Sequence, residues 1–176
     1  MKSDRVSPSI QIRVAVPEDA ESIASVLSES FAEFEPAYTP EAFAATTPTL
    51  DQLRARWSEG PVWVAVSQSA IVGTVSAVIK QDSLYVRSMA VLPAARGQHI
   101  GYWLLEKAEA YALEHRCRRM FLSTTPFLTR AVKLYEQYGF RRIREGPHTL
   151  YGTPLFTMEK IMSSSASIRR ANAADC

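Results

Sequence analysis

A chain of 176 residues, 47% of them hydrophobic and 22% charged, is long enough for one full core and too short for two comfortable domains. Its formal net charge of +2 argues against a general nucleic-acid binder. Two cysteines, Cys117 and Cys176, offer neither a disulfide framework nor metal-ligand spacing, and no apolar run is long enough to span a bilayer.

Residues 1–9 are polar, carry no secretory signal and read as a flexible start, so a cytoplasmic location is expected. Residues 10–16 alternate, with Ile10, Ile12, Val14 and Val16 on one face, and predict a first strand. Pro17-Glu18-Asp19 opens a helix whose inner stripe is Ile23, Val26, Leu27 and Phe31. Pro36, Pro40 and Pro48 break residues 33–49 into loop and short helical pieces, and Leu50, Leu53 and Trp57 form one more stripe before Gly60-Pro61. Strands over 62–66, 71–79 and 84–92 are separated by the turns at 67–69 and 81–83. A helix follows with Ile100, Leu104, Leu105, Ala108 and Ala112 inward, then a strand over 119–124. Residues 129–138 make a helix stopped by Gly139, residues 140–144 and 155–161 two last strands, and the Ser/Ala-rich tail over 162–176 is expected to be disordered. The order predicts a single α+β domain over 10–161, with a mixed sheet and helices on both faces. The basic runs at 116–119 and 141–144 read as solvated surface or strand edge.

The richest segment is 91–101, Val-Leu-Pro-Ala-Ala-Arg-Gly-Gln-His-Ile-Gly, where a strand turns directly into a helix. Such an elbow aims unpaired N–H groups and the positive end of a helix dipole at one point, which suits a phosphate. A nucleotide-triphosphate loop is disfavoured, since no Gly-Lys-Ser/Thr follows the turn. Downstream lies Ala131-Val132-Lys133-Leu134-Tyr135-Glu136-Gln137-Tyr138-Gly139-Phe140.

In this order and separation the two motifs resemble the GNAT superfamily of acetyl-coenzyme A-dependent N-acetyltransferases, over roughly residues 10 to 161. The resemblance implies a mostly antiparallel central sheet with a splayed cleft, and acetyl-CoA as co-substrate. It implies that the backbone of Met89, Ala90 and Val91 holds the pantetheine arm. The N–H groups of Gln98, His99, Ile100 and Gly101 would wrap the pyrophosphate, after Gly97, with Arg96 shaping the turn or meeting a phosphate. His99 stands where the family pattern has glycine and is expected to face solvent, and Leu128 stands where many relatives have asparagine. Thr124, Thr125 or Thr129 could supply a substitute hydroxyl. Tyr135 is implied as the general acid that protonates the departing thiolate, a role suited to a phenol of pKa about 10. Tyr138 reads as a core residue.

No base is assigned. The strand before the elbow offers no carboxylate, leaving Glu33, Glu35, His148, Tyr151 or a water chain. In the architecture the resemblance implies, the acceptor pocket lies between 31–38 and 146–154, where Phe31, Phe34, Tyr38, His148, Tyr151 and the adjoining Phe156 are aromatic, with Glu33 and Glu35 favouring a cationic or polar amine. The acceptor is thus a small-molecule or peptide amine; no metal, nucleic acid or membrane is implied, and pairing of sheet edges into a homodimer stays open. The alternative is a non-catalytic acyl-CoA-binding sensor or assembly module.

Overall fold

A computed structural model describes residues 9–162, so the expectations for 1–8 and for 163–176, Cys176 included, lie outside the described residues. β1 (Ile10–Val14) leads through a helical turn at Pro17–Asp19 into α1 (Ala20–Ala32). The proline-punctuated segment makes two short helices, α2 (Pro40–Thr46) and α3 (Leu50–Ala55). Thr39 caps α2 by accepting from the Ala42 N–H at 3.3 Å, and Thr49 and Gln52 form a reciprocal capping box on α3. β2 (Val62–Ser67), β3 (Ala70–Lys80) and β4 (Ser83–Val91) follow as an antiparallel meander. Then come α4 (Ile100–Glu114), β5 (Arg119–Thr124), α5 (Thr129–Gln137) and β6 (Arg141–Ile143). A two-residue ladder, β7 (Thr149–Leu150) with β8 (Thr153–Pro154), precedes β9 (Phe156–Ile161).

Seven strands form one sheet in the order β1-β2-β3-β4-β5-β9-β6, antiparallel throughout except for β4 beside β5. α4 lays Ile100, Leu104, Leu105, Ala108 and Ala112 on one face, against Trp63, Ala65, Val75, Leu84 and Val86. α1 covers the other face with Ile23, Val26 and Leu27 against Val64 and Ala90. No helix among the described residues is long and apolar enough to cross a membrane.

The structure corrects three boundaries. β1 ends at Val14, and Val14 and Val16 are 60% and 47% exposed rather than inward, because this edge strand turns away into the Pro17 helical turn beyond Ala15. α1 proper starts at Ala20, three residues after Pro17. Phe140 belongs to the core at 2% exposure, and β6 pairs only over Arg141–Ile143.

A bidentate pair ties β1 to the α1 entry: Arg13 donates to the two carboxylate oxygens of Asp19 at 2.6 and 2.9 Å, and the Val16 N–H donates to the same group at 2.9 Å. The Arg13 hydrogen bonds hold the Asp19 carboxyl below its ordinary value against opposing burial. A depressed carboxylate stabilises the fold above its unfolded pKa, about 3.9, and that contribution is lost as pH falls through the folded value. Asp19→Asn is therefore expected to lower the urea midpoint at pH 7 and to lose its disadvantage to the wild type on acidification. A constant gap across pH would contradict the assignment.

Candidate active site

The site is built around an interruption in the sheet. β4 and β5 pair only at Ser83↔Arg119, Leu84↔Met120 and Tyr85↔Phe121. β5 continues to Thr124 on its other neighbour, β9, while β4 continues to Val91 on β3. From Val86 onward the two central strands therefore diverge, and each presents an unpaired edge to the gap.

The physical cause of the divergence lies in β4. Its register against β3 shifts between Thr74↔Ala90 and Ser76↔Arg87, so Ser88 and Met89 together oppose Val75. Ser88 takes φ +50°, and the extra residue forms a bulge that bends the strand and raises its twist. It also reverses the side-chain parity. Leu84 and Val86 face α4 before the bulge, Met89 and Val91 pack on that same core after it, and Ala90 turns to the α1 side. The three-residue step from Val86 to Met89 is the mark of this bulge in the sequence.

Beyond Val91 the chain makes one helical turn, Pro93–Ala95, and reverses through Gly97 (φ +82°) and His99 (φ +60°, ψ +11°) into α4. No N–H from Gln98 to Tyr102 meets a protein acceptor at hydrogen-bond geometry among the described residues, and Gly97, Gln98 and His99 are exposed. His99 caps α4 in the left-handed region with no side-chain cap, a conformation that costs a non-glycine residue roughly 1 kcal/mol. That is the backbone reason a glycine would be easier there. Gly101 serves a different end: a Cβ on it would lie 2.7 Å from Leu134 Cδ2, so its absence lets α5 approach α4.

Arg96 shapes the elbow. It donates to the Val91 carbonyl at 3.4 Å and the Ser30 carbonyl at 3.1 Å, and its guanidinium pairs with Glu33. The expected negative tint from Glu33 is thereby corrected: its carboxylate faces Arg96, leaving Glu35 exposed.

Across the gap, Thr124 ends β5 and Thr125 follows it, both buried, and the Thr125 hydroxyl has no partner among the described residues. Thr129 is exposed at the first turn of α5. Tyr135 projects from α5 into the core at 7% exposure, its ring 5.9 Å from that of Phe140. Burial drives its pKa well above the phenol value, with the nearby Tyr38 adding to the rise. Tyr138 behaves as expected of a core residue; its hydroxyl donates to Glu109 at 2.6 Å, and Lys160 completes the cluster.

Thr39, just past the early loop, is joined to the late loop by hydrogen bonds. The Thr39 N–H donates to Thr153 Oγ1 at 2.9 Å, and Thr39 Oγ1 donates to the Tyr151 carbonyl at 2.8 Å. The aromatic wall of the two loops differs from the expected one. Phe127, from the β5–α5 loop, lies edge-on to Tyr38 at 4.8 Å and stacks with Phe34 at 6.4 Å. His148 and Tyr151 are exposed, Tyr151 by 66%, so neither is held as a base would be. Sequence reasoning missed Phe127, whose loop gives no periodic signal, and the ion pair of Arg87 with Glu59 at 2.5 Å, formed 28 residues apart.

The fold is shared with solved acetyltransferases. The structure is similar to the PaiA N-acetyltransferase of Thermoplasma acidophilum, solved in complex with coenzyme A (TM-score 0.72, 21% identity, covering 88% of this chain and 99% of that one). It is also similar to a GNAT-family acetyltransferase of Staphylococcus aureus Mu50 (TM-score 0.73, 21% identity, 88% and 100%). The model of the acetyltransferase (GNAT) family matches residues 23–140, and the chain belongs to that family. An uncharacterized N-acetyltransferase of Escherichia coli K12 is 30% identical over 132 residues, 72% of this chain and 78% of that one. The N-acetylaspartate synthetase of Danio rerio is 34% identical over 102 residues, covering 56% of this chain and only 36% of that protein's length.

Proposed function

We propose that the chain moves an acetyl group from acetyl-coenzyme A to an amine by direct attack, with Tyr135 as the proton donor to the departing sulfur. The observation that carries this reading is the early end of β4–β5 pairing after Tyr85. It leaves an open strand edge that runs through Met89, Ala90 and Val91 into an elbow of unpaired N–H groups. An extended amide chain can add to such an edge as another strand would, and a diphosphate suits uncapped N–H groups at a helix N-terminus. The donors present therefore fit the co-substrate, which supplies an activated thioester when bound.

In this reading Met89, Ala90 and Val91 hold the pantetheine arm through their backbone, and Gln98, His99, Ile100 and Gly101 hold the diphosphate. Gly97 provides the reversal, and Arg96 locks the elbow to the end of α1. Thr124, with Thr125 beside it, lines the opposite edge and offers the hydroxyl that Leu128 cannot. Like any phenol, Tyr135 is protonated at neutral pH, as a donor must be, and the upward shift from burial excludes it as a base. The amine gives up its proton to solvent water, since no carboxylate or imidazole of the expected set is held in position for it.

Titration calorimetry with coenzyme A tests the binding half: heat is expected, and affinity should fall as ionic strength rises, because the helix field on a diphosphate is screened. Thiol release with a panel of amines tests the transfer half. Absence of binding would defeat the whole reading, whereas tight binding with no turnover of any amine would favour the acyl-CoA-binding module.

A further inference from the structure

The strand that enters the elbow carries no carboxylate, but the fold brings one to it. Tyr85 and Arg87 share the face of β4 turned away from α4, since Leu84 and Val86 pack on the α4 side and side chains alternate along a strand. Tyr85 stacks on Phe121 of β5 at 5.1 Å, in the last cross-strand pair before the two strands part. Arg87 is the next residue up that face, where the gap opens, and its guanidinium holds Glu59 at 2.5 Å.

Glu59 is set in place from both sides. Its N–H donates to the Arg56 carbonyl at 3.0 Å, and the next residue, Gly60, sits on β3, where a Cβ would lie 2.1 Å from the Ala77 carbonyl oxygen. Ala77 is the cross-strand partner of Val86, so the turn stands level with the start of the gap. Ser76 Oγ donates to the Arg87 carbonyl at 3.2 Å and fixes the backbone that carries the arginine. Arg87 occupies only Oε2 of the carboxylate. No donor among the described residues meets Oε1, and the side chain is 41% exposed, so water reaches that oxygen. Arg56 faces the same corner: burial raises the Tyr85 pKa, and Arg87 and Arg56 both pull it back. Among the described residues Glu59 is the one carboxylate paired with either arginine.

We propose that Glu59 is the base of the transfer reaction, drawing the proton from the amine through one water, and that Arg87 positions it. The inference rests on the acetyl-transfer reading and names the group toward which the amine's proton moves once water has taken it. An arm held by Val91, Ala90 and Met89, followed back from the elbow, ends at Ser88 and Arg87. Glu59 therefore stands within the reach of one arginine side chain from the strand edge that holds the acyl end. Tyr135 lies in the core on the α4 side, so the sulfur departs toward that side and the amine enters from the other, where Glu59 stands. In the step the nitrogen bonds the acetyl carbon as the carbon–sulfur bond breaks. Tyr135 gives its proton to the sulfur, and Glu59 receives through the water the proton shed by the nitrogen. Both side chains return to their starting states by exchange with solvent.

The test is Glu59→Gln, which can still accept from Arg87 and loses only the basicity, followed by thiol release from acetyl-CoA with the best amine of a panel. It is expected to lower kcat about 100-fold at neutral pH, as loss of a positioned base does, with coenzyme A affinity and the urea midpoint near those of the wild type. The deficit should shrink as pH rises toward the pKa of the amine, where solvent supplies the neutral nucleophile, whereas a structural loss would be the same at every pH. Glu59→Asp, which keeps the carboxylate, should recover most of the lost kcat. Arg87→Gln should lower kcat in the wild type and cost nothing further in Glu59→Gln, because the arginine acts through the carboxylate. A kcat within about threefold of wild type for Glu59→Gln, a loss confined to KM, a deficit constant across pH, or additive losses in the double variant would each overturn the proposal while leaving acetyl transfer intact. A wild type that releases no thiol with any amine would overturn it together with the reading beneath it.

Discussion

Tyr135→Phe is expected to lower kcat by about 100-fold, the lower end of what a positioned general acid contributes. The hydroxyl makes no side-chain hydrogen bond among the described residues, and the ring is held by packing against Phe140. Its removal should therefore leave coenzyme A affinity and the unfolding midpoint near those of the wild type. The pH–rate profile should keep its shape, because burial lifts the phenol out of the titrating range in the native enzyme. A kcat within about threefold of wild type would show that the thiolate departs without this proton.

Gly60→Ala is expected to cost about 3 kcal/mol, the upper end of ordinary overpacking, against a total stability of about 5–15 kcal/mol. The backbone there is extended, so conformational freedom is not the reason for glycine. The reason is contact: the added methyl would meet the Ala77 carbonyl oxygen at 2.1 Å and Ala77 C at 3.2 Å, both main-chain atoms of β3. The Ala77 N–H donates to the Pro61 carbonyl at 3.1 Å next door, so the strand has no slack to give. Gly97 makes the contrast, since it has φ +82° and nothing within 4 Å, and its alanine variant pays only the left-handed backbone cost of roughly 1 kcal/mol. Urea denaturation of the two variants measures the difference. A loss under about 0.5 kcal/mol for Gly60→Ala would mean that the Trp57–Glu59 turn does not rest on β3.

The order of elements was legible because each carries a local signal. The stripe Ile100, Leu104, Leu105, Ala108, Ala112 has helical spacing and is buried as that spacing requires. The turns at Gln68-Ser69 and Gln81 use positive φ, and Gly139 (φ +100°) ends α5. Where the local signal was weak the boundaries moved. Val14 and Val16 alternate like a buried strand, yet among the described residues they stay exposed, because alternation reports a face and not a neighbour.

The sequence by itself determined the elbow and the placement of Tyr135 on a helix closed by Gly139, since turns, caps and periodicity are properties of neighbouring residues. Only the tertiary structure decided how those parts make a site. The Ser88 bulge exists only against β3, the parting of β4 from β5 only in the assembled sheet, and Arg96 meets the Ser30 carbonyl and Glu33 across 66 and 63 residues. The pairing of Thr39 with Thr153 spans 114 residues, and Gly60 is seated on the backbone of β3 at Ala77. Such contacts are set by chain reversal and packing, for which the linear pattern carries no period.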